Sequence, residues 1–175
     1  IQAMPKLEGT THVNMSIVIK FIKNYFFSNA NIAPVPQRHD IGDDSYLFKQ
    51  DFGKLGSVLF PNDAIAYENI EHPNVKIFQE QIKVFKETLY KTPPSKEQSE
   101  NLDYMIGVGQ LFTLIVYSQL ILENCKLLKI EDDVIDEIFA LSVRDFSHYT
   151  LYILTKFKIS TEQNSQLEKM IKYPH

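Results

Sequence analysis

A single cysteine, Cys125, stands in 175 residues, so no internal disulfide can staple the fold, and a reducing compartment is implied. With nothing nearby to depress its pKa, that thiol is expected to be buried as a small apolar side chain. The net charge is only −4 and the eighteen Lys and Arg are spread along the chain, which excludes the electrostatic footprint of a nucleic-acid or anionic-membrane binder. There is no Walker loop, no Cys-x-x-Cys, no His-Glu-x-x-His and no Gly-x-Ser-x-Gly. Internal repeats and low-complexity segments are also missing, as is a basic-then-apolar leader. Asn14-Met15-Ser16 has the form of a glycosylation sequon, which is empty of meaning without a secretion signal. A cytoplasmic location is the expectation.

What the chain does have is apolar and aromatic mass: 44% hydrophobic residues, with twelve Phe and nine Tyr, enough for a sizeable core. Met105 to Leu122 is uncharged throughout, long enough to span a bilayer. Its polar Gln110, Thr113, Ser118 and Gln119, and the return of charge at Glu123, fit a central buried helix instead. No membrane span is therefore expected.

The periodicity is helical. Thr10 and Thr11 offer caps for a helix whose apolar positions Met15, Val18, Ile19, Ile22 and Phe26 carry it to about Phe27. Asn29, Asn31, Pro34 and Pro36 then mark a linker. Tyr46-Leu47-Phe48 and Ser57-Val58-Leu59-Phe60 are expected to pair as a short hairpin, followed by a short helix over Ala64–Ile70. Val75, Phe78, Ile82, Phe85 and Leu89 form a narrow apolar seam on an amphipathic helix that Thr92-Pro93-Pro94 stops. Ser95-x-x-Gln98 has capping-box form and opens the longest expected helix, Lys96 to Leu128. Glu131, Asp132 and Asp133 favour the start of the next helix through its dipole. That helix carries Ile135, Ile138, Phe139, Phe146, Tyr149 and Ile153. Ser160-x-x-Gln163 repeats the box before a last helix with Leu167, Met170 and Ile171. The fold class expected is all-α: an antiparallel helical bundle over 73–175, joined by a 28–72 linker to an N-terminal helix in 1–27.

Candidate chemistry is sparse. Gly107-Val108-Gly109 lacks the third glycine of a dinucleotide fingerprint and sits inside a helix, so close helix packing is its expected role. His39-Asp40 with Asp43-Asp44 gathers potential ligands in one loop, but these cap turns more economically than they bind metal, and no metal is expected. His148 reads as a packed or surface histidine. The Val75–Leu89 seam is either core or the docking face of a free-standing, non-catalytic helical interaction module.

The stretch with the most specific context is Ala3-Met4-Pro5-Lys6-Leu7-Glu8-Gly9-Thr10-Thr11-His12-Val13-Asn14. A carboxylate held at a turn just before a helix is a potential general base. The stretch resembles the Glu-Gly-Thr segment of flavin-dependent acyl-CoA dehydrogenases. A looser likeness to the C-terminal extension of a bacterial subgroup of the large members runs through Asp43–Phe48, Gly107–Thr113 and Arg144–Ser147. The resemblance implies that Glu8 is the catalytic base and that Gly9 and Thr10 lie against FAD. His12 and Asn14 stand where many members have acidic or amide residues, and no cofactor role is assigned to them. It implies residues 1–27 as the end of a catalytic domain and 73–175 as a helical extension for structural, oligomer or partner contacts. An acyl-CoA substrate, an electron-transferring flavoprotein as partner and a homo-oligomer come with the resemblance. The upstream regions that build most of the flavin pocket are not in this sequence, so the chain is expected to be a fragment, inactive alone.

Overall fold

The computed structural model describes residues 11–27, 58–60 and 63–175, and all regular structure among them is helical. The N-terminal stretch runs as α1 (Thr11–Val18), a 3-10 turn (Ile19–Phe21) and α2 (Ile22–Phe27); after it come α3 (Asp63–Ala66) and α4 (Pro73–Lys91). Then follow α5 (Lys96–Glu100), α6 (Leu102–Leu128), α7 (Asp132–Lys156) and α8 (Thr161–Glu168). The all-α bundle expected from the periodicity is what forms.

Each boundary has a local cause. Pro73 occupies the first turn of α4, where a missing N–H costs nothing. Thr92 and two prolines end it. Both capping boxes close: the Ser95 and Ser160 hydroxyls accept from the backbone N–H of Gln98 and Gln163, whose side chains accept from the serine N–H groups. No side chain caps α7. Asp132 and Asp133 in its first turn instead set negative charge against the positive end of the helix dipole. Lys129 closes α6 in the left-handed region at φ 54°, and the N–H of Ile130 reaches back 3.0 Å to the Cys125 carbonyl.

Three sequence expectations need correction. The helix expected over Lys96–Leu128 is two helices. Asn101 ends α5 and caps α6, its side-chain oxygen accepting from Tyr104 N–H at 3.1 Å, and this local bond replaces helix continuation. The expected hairpin does not form at its second half. Val58–Phe60 has no strand pairing: Asn24 donates to the Val58 carbonyl at 3.0 Å, and the Phe60 ring stands edge-on to Phe21 and Tyr25. Tyr46–Phe48, its proposed partner, lies outside the described residues. The helix expected over Ala64–Ile70 spans only Asp63–Ala66, because the following bonds are i→i+3 turns and Asn69 adopts φ 63°.

The core runs along a series of aromatic rings. Phe112 meets Phe26, Phe26 meets Phe85, Phe85 meets Phe146, Phe146 meets Phe78 and Phe78 meets Phe139, with centroids 5.5–6.0 Å apart and mostly edge-to-face. That geometry sets positive ring edges on negative faces. The series crosses α2, α4, α6 and α7, so residues 11–27 and 73–175 share one core. The Val75–Leu89 seam lies inside it; Val75 and Phe78 are fully buried. Ile82 and Phe85 are buried with them, and Leu89, partly buried, packs against this core.

α7 packs against α4, α6 and α8, whereas α6 lies between α1 and α7 and leaves one side open. Half of its most apolar window is buried, while Tyr117 and Leu120 on the other side are exposed. By length and composition alone α6 could cross a membrane; its packing on α1 and α7 accounts for its apolar character within the bundle. Cys125 is buried, as its surroundings imply.

Polar bonds lock the ends. Gln98 and Gln163 pair amide to amide at 3.0 Å in both directions, joining the two capping boxes; Gln98 also donates to the Lys158 carbonyl and Gln163 to that of Pro93. Fully buried Gln81 donates to the Val143 and Met170 carbonyls and to Ser147 Oγ, holding the segment after α8 against α4 and α7. Ser147 Oγ in turn accepts from Lys172 N–H at 2.9 Å. Asn74 donates twice to the Asp136 carboxylate and accepts from His175 N–H.

Candidate functional site

Glu8, Gly9 and Thr10 lie outside the described residues, as does the His39–Asp44 cluster. The described residues begin at Thr11, in α1, and show how that helix is held. α1 docks on α6 at Gly109. A Cβ built there would stand 2.7 Å from Met15 Cγ and 2.9 Å from Ile19 Cγ2, so any larger residue would force the Met15 or Ile19 side chain to shift. Gly107 performs a milder version of the same task against Ile153 on α7, at 3.0 Å. Packing accounts for both glycines, as their helical setting implied.

α2 extends the anchor. The buried Tyr25 hydroxyl donates to Gln119 Oε1 on α6, and the Gln119 amide donates to Glu123 at 2.8 Å. Tyr25 and Phe26 both stand against Phe112. These contacts bury one side of α1–α2 and leave His12, Val13, Asn14 and Ile17 exposed on the other.

Three described concavities border the α1–α2 segment, one of them, about 300 Å³, between Met15 and the Gln110–Tyr117 face of α6. A second, about 330 Å³, lies between α1 and α6 and is lined by apolar groups of Val18, Phe21, Phe60, Phe112, Val116 and Leu120. The third, about 660 Å³, is a cleft between the α1–α2 segment, the end of α4 and the start of α6. Its floor includes Ile22 and Val108, both buried, with Leu89 and Met105 beside them; Phe27 and Tyr90 stand at the exposed rim. Lys20 and Lys23, one helical turn apart, also line it. From sequence the lysines looked evenly spread. Only the docking of α2 beside the Tyr90–Pro94 corner sets two of them over an apolar floor.

The displaced acidities belong to the surface and to one phenol. Lys91, donating to Glu87 at 2.8 Å, holds that carboxyl below its usual range; Glu162 is held down first by its own backbone N–H and then by Ser160. The Tyr152 hydroxyl, followed by Asp103, raises Lys156. Burial pushes the Tyr104 phenol up. His148 is exposed, edge-on to Tyr149. Among the described residues no three His, Cys, Asp or Glu side chains converge as metal ligands.

No protein-family model matches this chain, and no curated protein or solved structure matches it.

Proposed function

We propose that this chain is the C-terminal part of a flavin-dependent acyl-CoA dehydrogenase, with Glu8 as the base that removes the α-proton of an acyl-CoA thioester. The observation that carries the reading is the Glu8-Gly9-Thr10 stretch in the sequence directly ahead of α1, a helix that docks on α6 at Gly109. A base needs such a mount, since misplacement by about 1 Å can cost ~10²-fold in rate.

The chemistry fits the residue type. A thioester α-proton is weakly acidic, and a carboxylate becomes strong enough to take it once desolvated beside an apolar acyl chain. FAD supplies hydride acceptance, a redox step beyond the reach of any side chain. Gly9, without a Cβ, and Thr10, with a hydroxyl, suit close approach to a flavin. The helical extension would serve structural, oligomer or partner contacts, and an electron-transferring flavoprotein would reoxidise the cofactor.

Flavin content is the direct test. The chain alone is expected to purify colourless, because one helix start supplies few of the contacts that a dinucleotide needs. The full-length protein should purify yellow with stoichiometric FAD and bleach anaerobically with an acyl-CoA. A colourless full-length protein that takes up no added FAD would overturn the proposal.

A further inference from the structure

We propose that the cleft between α2 and the α4–α6 corner binds a small anionic amphiphile, an alkyl carboxylate whose chain lies on Ile22, Leu89, Met105 and Val108 and whose head pairs with Lys20 and Lys23. The charge pattern carries this. Five described lysines, Lys76, Lys91, Lys96, Lys156 and Lys172, stand within 4.0 Å of a described carboxylate oxygen, and the other eight do not; among those eight, Lys20 and Lys23 line this cleft together. Lys20 and Lys23 have no such partner among the described residues, and no described carboxylate lines the cleft. Two unneutralised cations beside an apolar floor form a surface complementary to an anion with a greasy body. The neighbouring Lys86 is engaged otherwise, its ammonium 5.8 Å over the Phe26 ring and 5.9 Å over that of Phe27 at the cleft rim.

Size selects a small molecule over a folded partner. About 660 Å³ falls within the ~300–1,000 Å³ typical of ligand pockets, whereas a stable protein interface engages roughly 20–30 residues a side and the cleft presents twelve. A single anionic head suffices for two lysines a turn apart. The alkyl body has the floor to itself, since the polar groups lining the cleft are few: the two lysines, the Tyr90 hydroxyl and Ser99. The site uses neither Glu8 nor flavin, and it stands or falls independently of the dehydrogenase reading.

Isothermal titration of this chain with octanoate, decanoate and dodecanoate, all below micelle formation, tests it. Affinity should rise about three- to fourfold per added methylene until the floor is filled. Decanol should bind more weakly than decanoate, and decyltrimethylammonium should not bind. Lys20→Glu with Lys23→Glu, both at exposed positions, should weaken decanoate about tenfold with circular dichroism unchanged. Lys20→Gln with Lys23→Gln should give a smaller loss in the same direction. Equal affinity for decanoate and decyltrimethylammonium, or unchanged affinity in both lysine variants, would overturn the proposal. So would binding to anionic vesicles with none to monomeric carboxylate.

Discussion

Adding one methyl group at Gly109 should loosen α1, the helix that follows the Glu-Gly-Thr stretch in the sequence. Two effects compete. Alanine in place of a mid-helix glycine favours the helix by about 1 kcal/mol. Against this, the new Cβ would lie 2.7 Å from Met15 Cγ and Sδ and 2.9 Å from Ile19 Cγ2. The methionine thioether can swing aside, but a β-branched methyl on a packed helix has little freedom. Overpacking of this kind costs ~1–3 kcal/mol, so Gly109→Ala should come out destabilising by about 0–2 kcal/mol. Gly107→Ala is the internal control. Its Cβ meets Ile153 Cγ1 at 3.0 Å, a milder contact, and the propensity gain should bring it close to neutral. Met15→Ala removes two of the three crowding atoms, so combining it with Gly109→Ala should cost less than the sum of the single changes. Urea unfolding followed by circular dichroism gives the energies, and amide exchange over residues 11–27 gives their location. If Gly109→Ala stabilised the protein by about 1 kcal/mol with unchanged exchange in α1, the close approach of α1 and α6 would be refuted.

Other outcomes follow from particular contacts. Phe78→Ala removes a fully buried ring that touches Phe139 and Phe146, and should cost ~3–5 kcal/mol in urea unfolding. Tyr104 has its phenol pushed above the usual value by burial, so on raising the pH the unfolded chain loses that proton first, near pH ~10. The stability present below that pH should therefore decline as pH climbs through the gap to the folded value. Tyr104→Phe should abolish this part of the alkaline loss, as read from unfolding at neutral and alkaline pH. Cys125 should react with an aromatic disulfide reagent only after denaturant is added, because its thiol is buried within α6.

Helix ends were the most legible part of the sequence, because their signals are local. Ser95 with Gln98, Ser160 with Gln163, Pro73 and the Thr92–Pro94 stop are each complete within four residues. The break at Asn101 has an equally short signal, an asparagine three residues before Tyr104, but the long apolar run that follows outweighs it in the sequence. The hairpin failed for another reason. Val58–Phe60 has strand-forming residues, yet Asn24 and the rings of Phe21 and Tyr25 engage it, and no sequence window contains both partners. The same distance hid the cleft. Lys20 and Lys23 are ordinary surface lysines until α2 is docked beside Tyr90 and Pro93. Gln81 sits between apolar positions with no hint that it bridges Val143, Ser147 and Met170. Glu8, Gly9 and Thr10 were singled out by resemblance, and their geometry lies outside the described residues.

The dehydrogenase proposal rests most heavily on Glu8, and single-turnover flavin reduction in the full-length protein addresses it directly. Glu8→Gln keeps shape and hydrogen-bonding capacity while removing basicity. Flavin content and acyl-CoA binding should stay nearly intact. Anaerobic bleaching by an acyl-CoA should slow by about 10²–10⁴-fold or more, the scale of losing a general base. Bleaching at close to the wild-type rate would contradict the account, taking Glu8 out of the mechanism and leaving this chain a structural role alone.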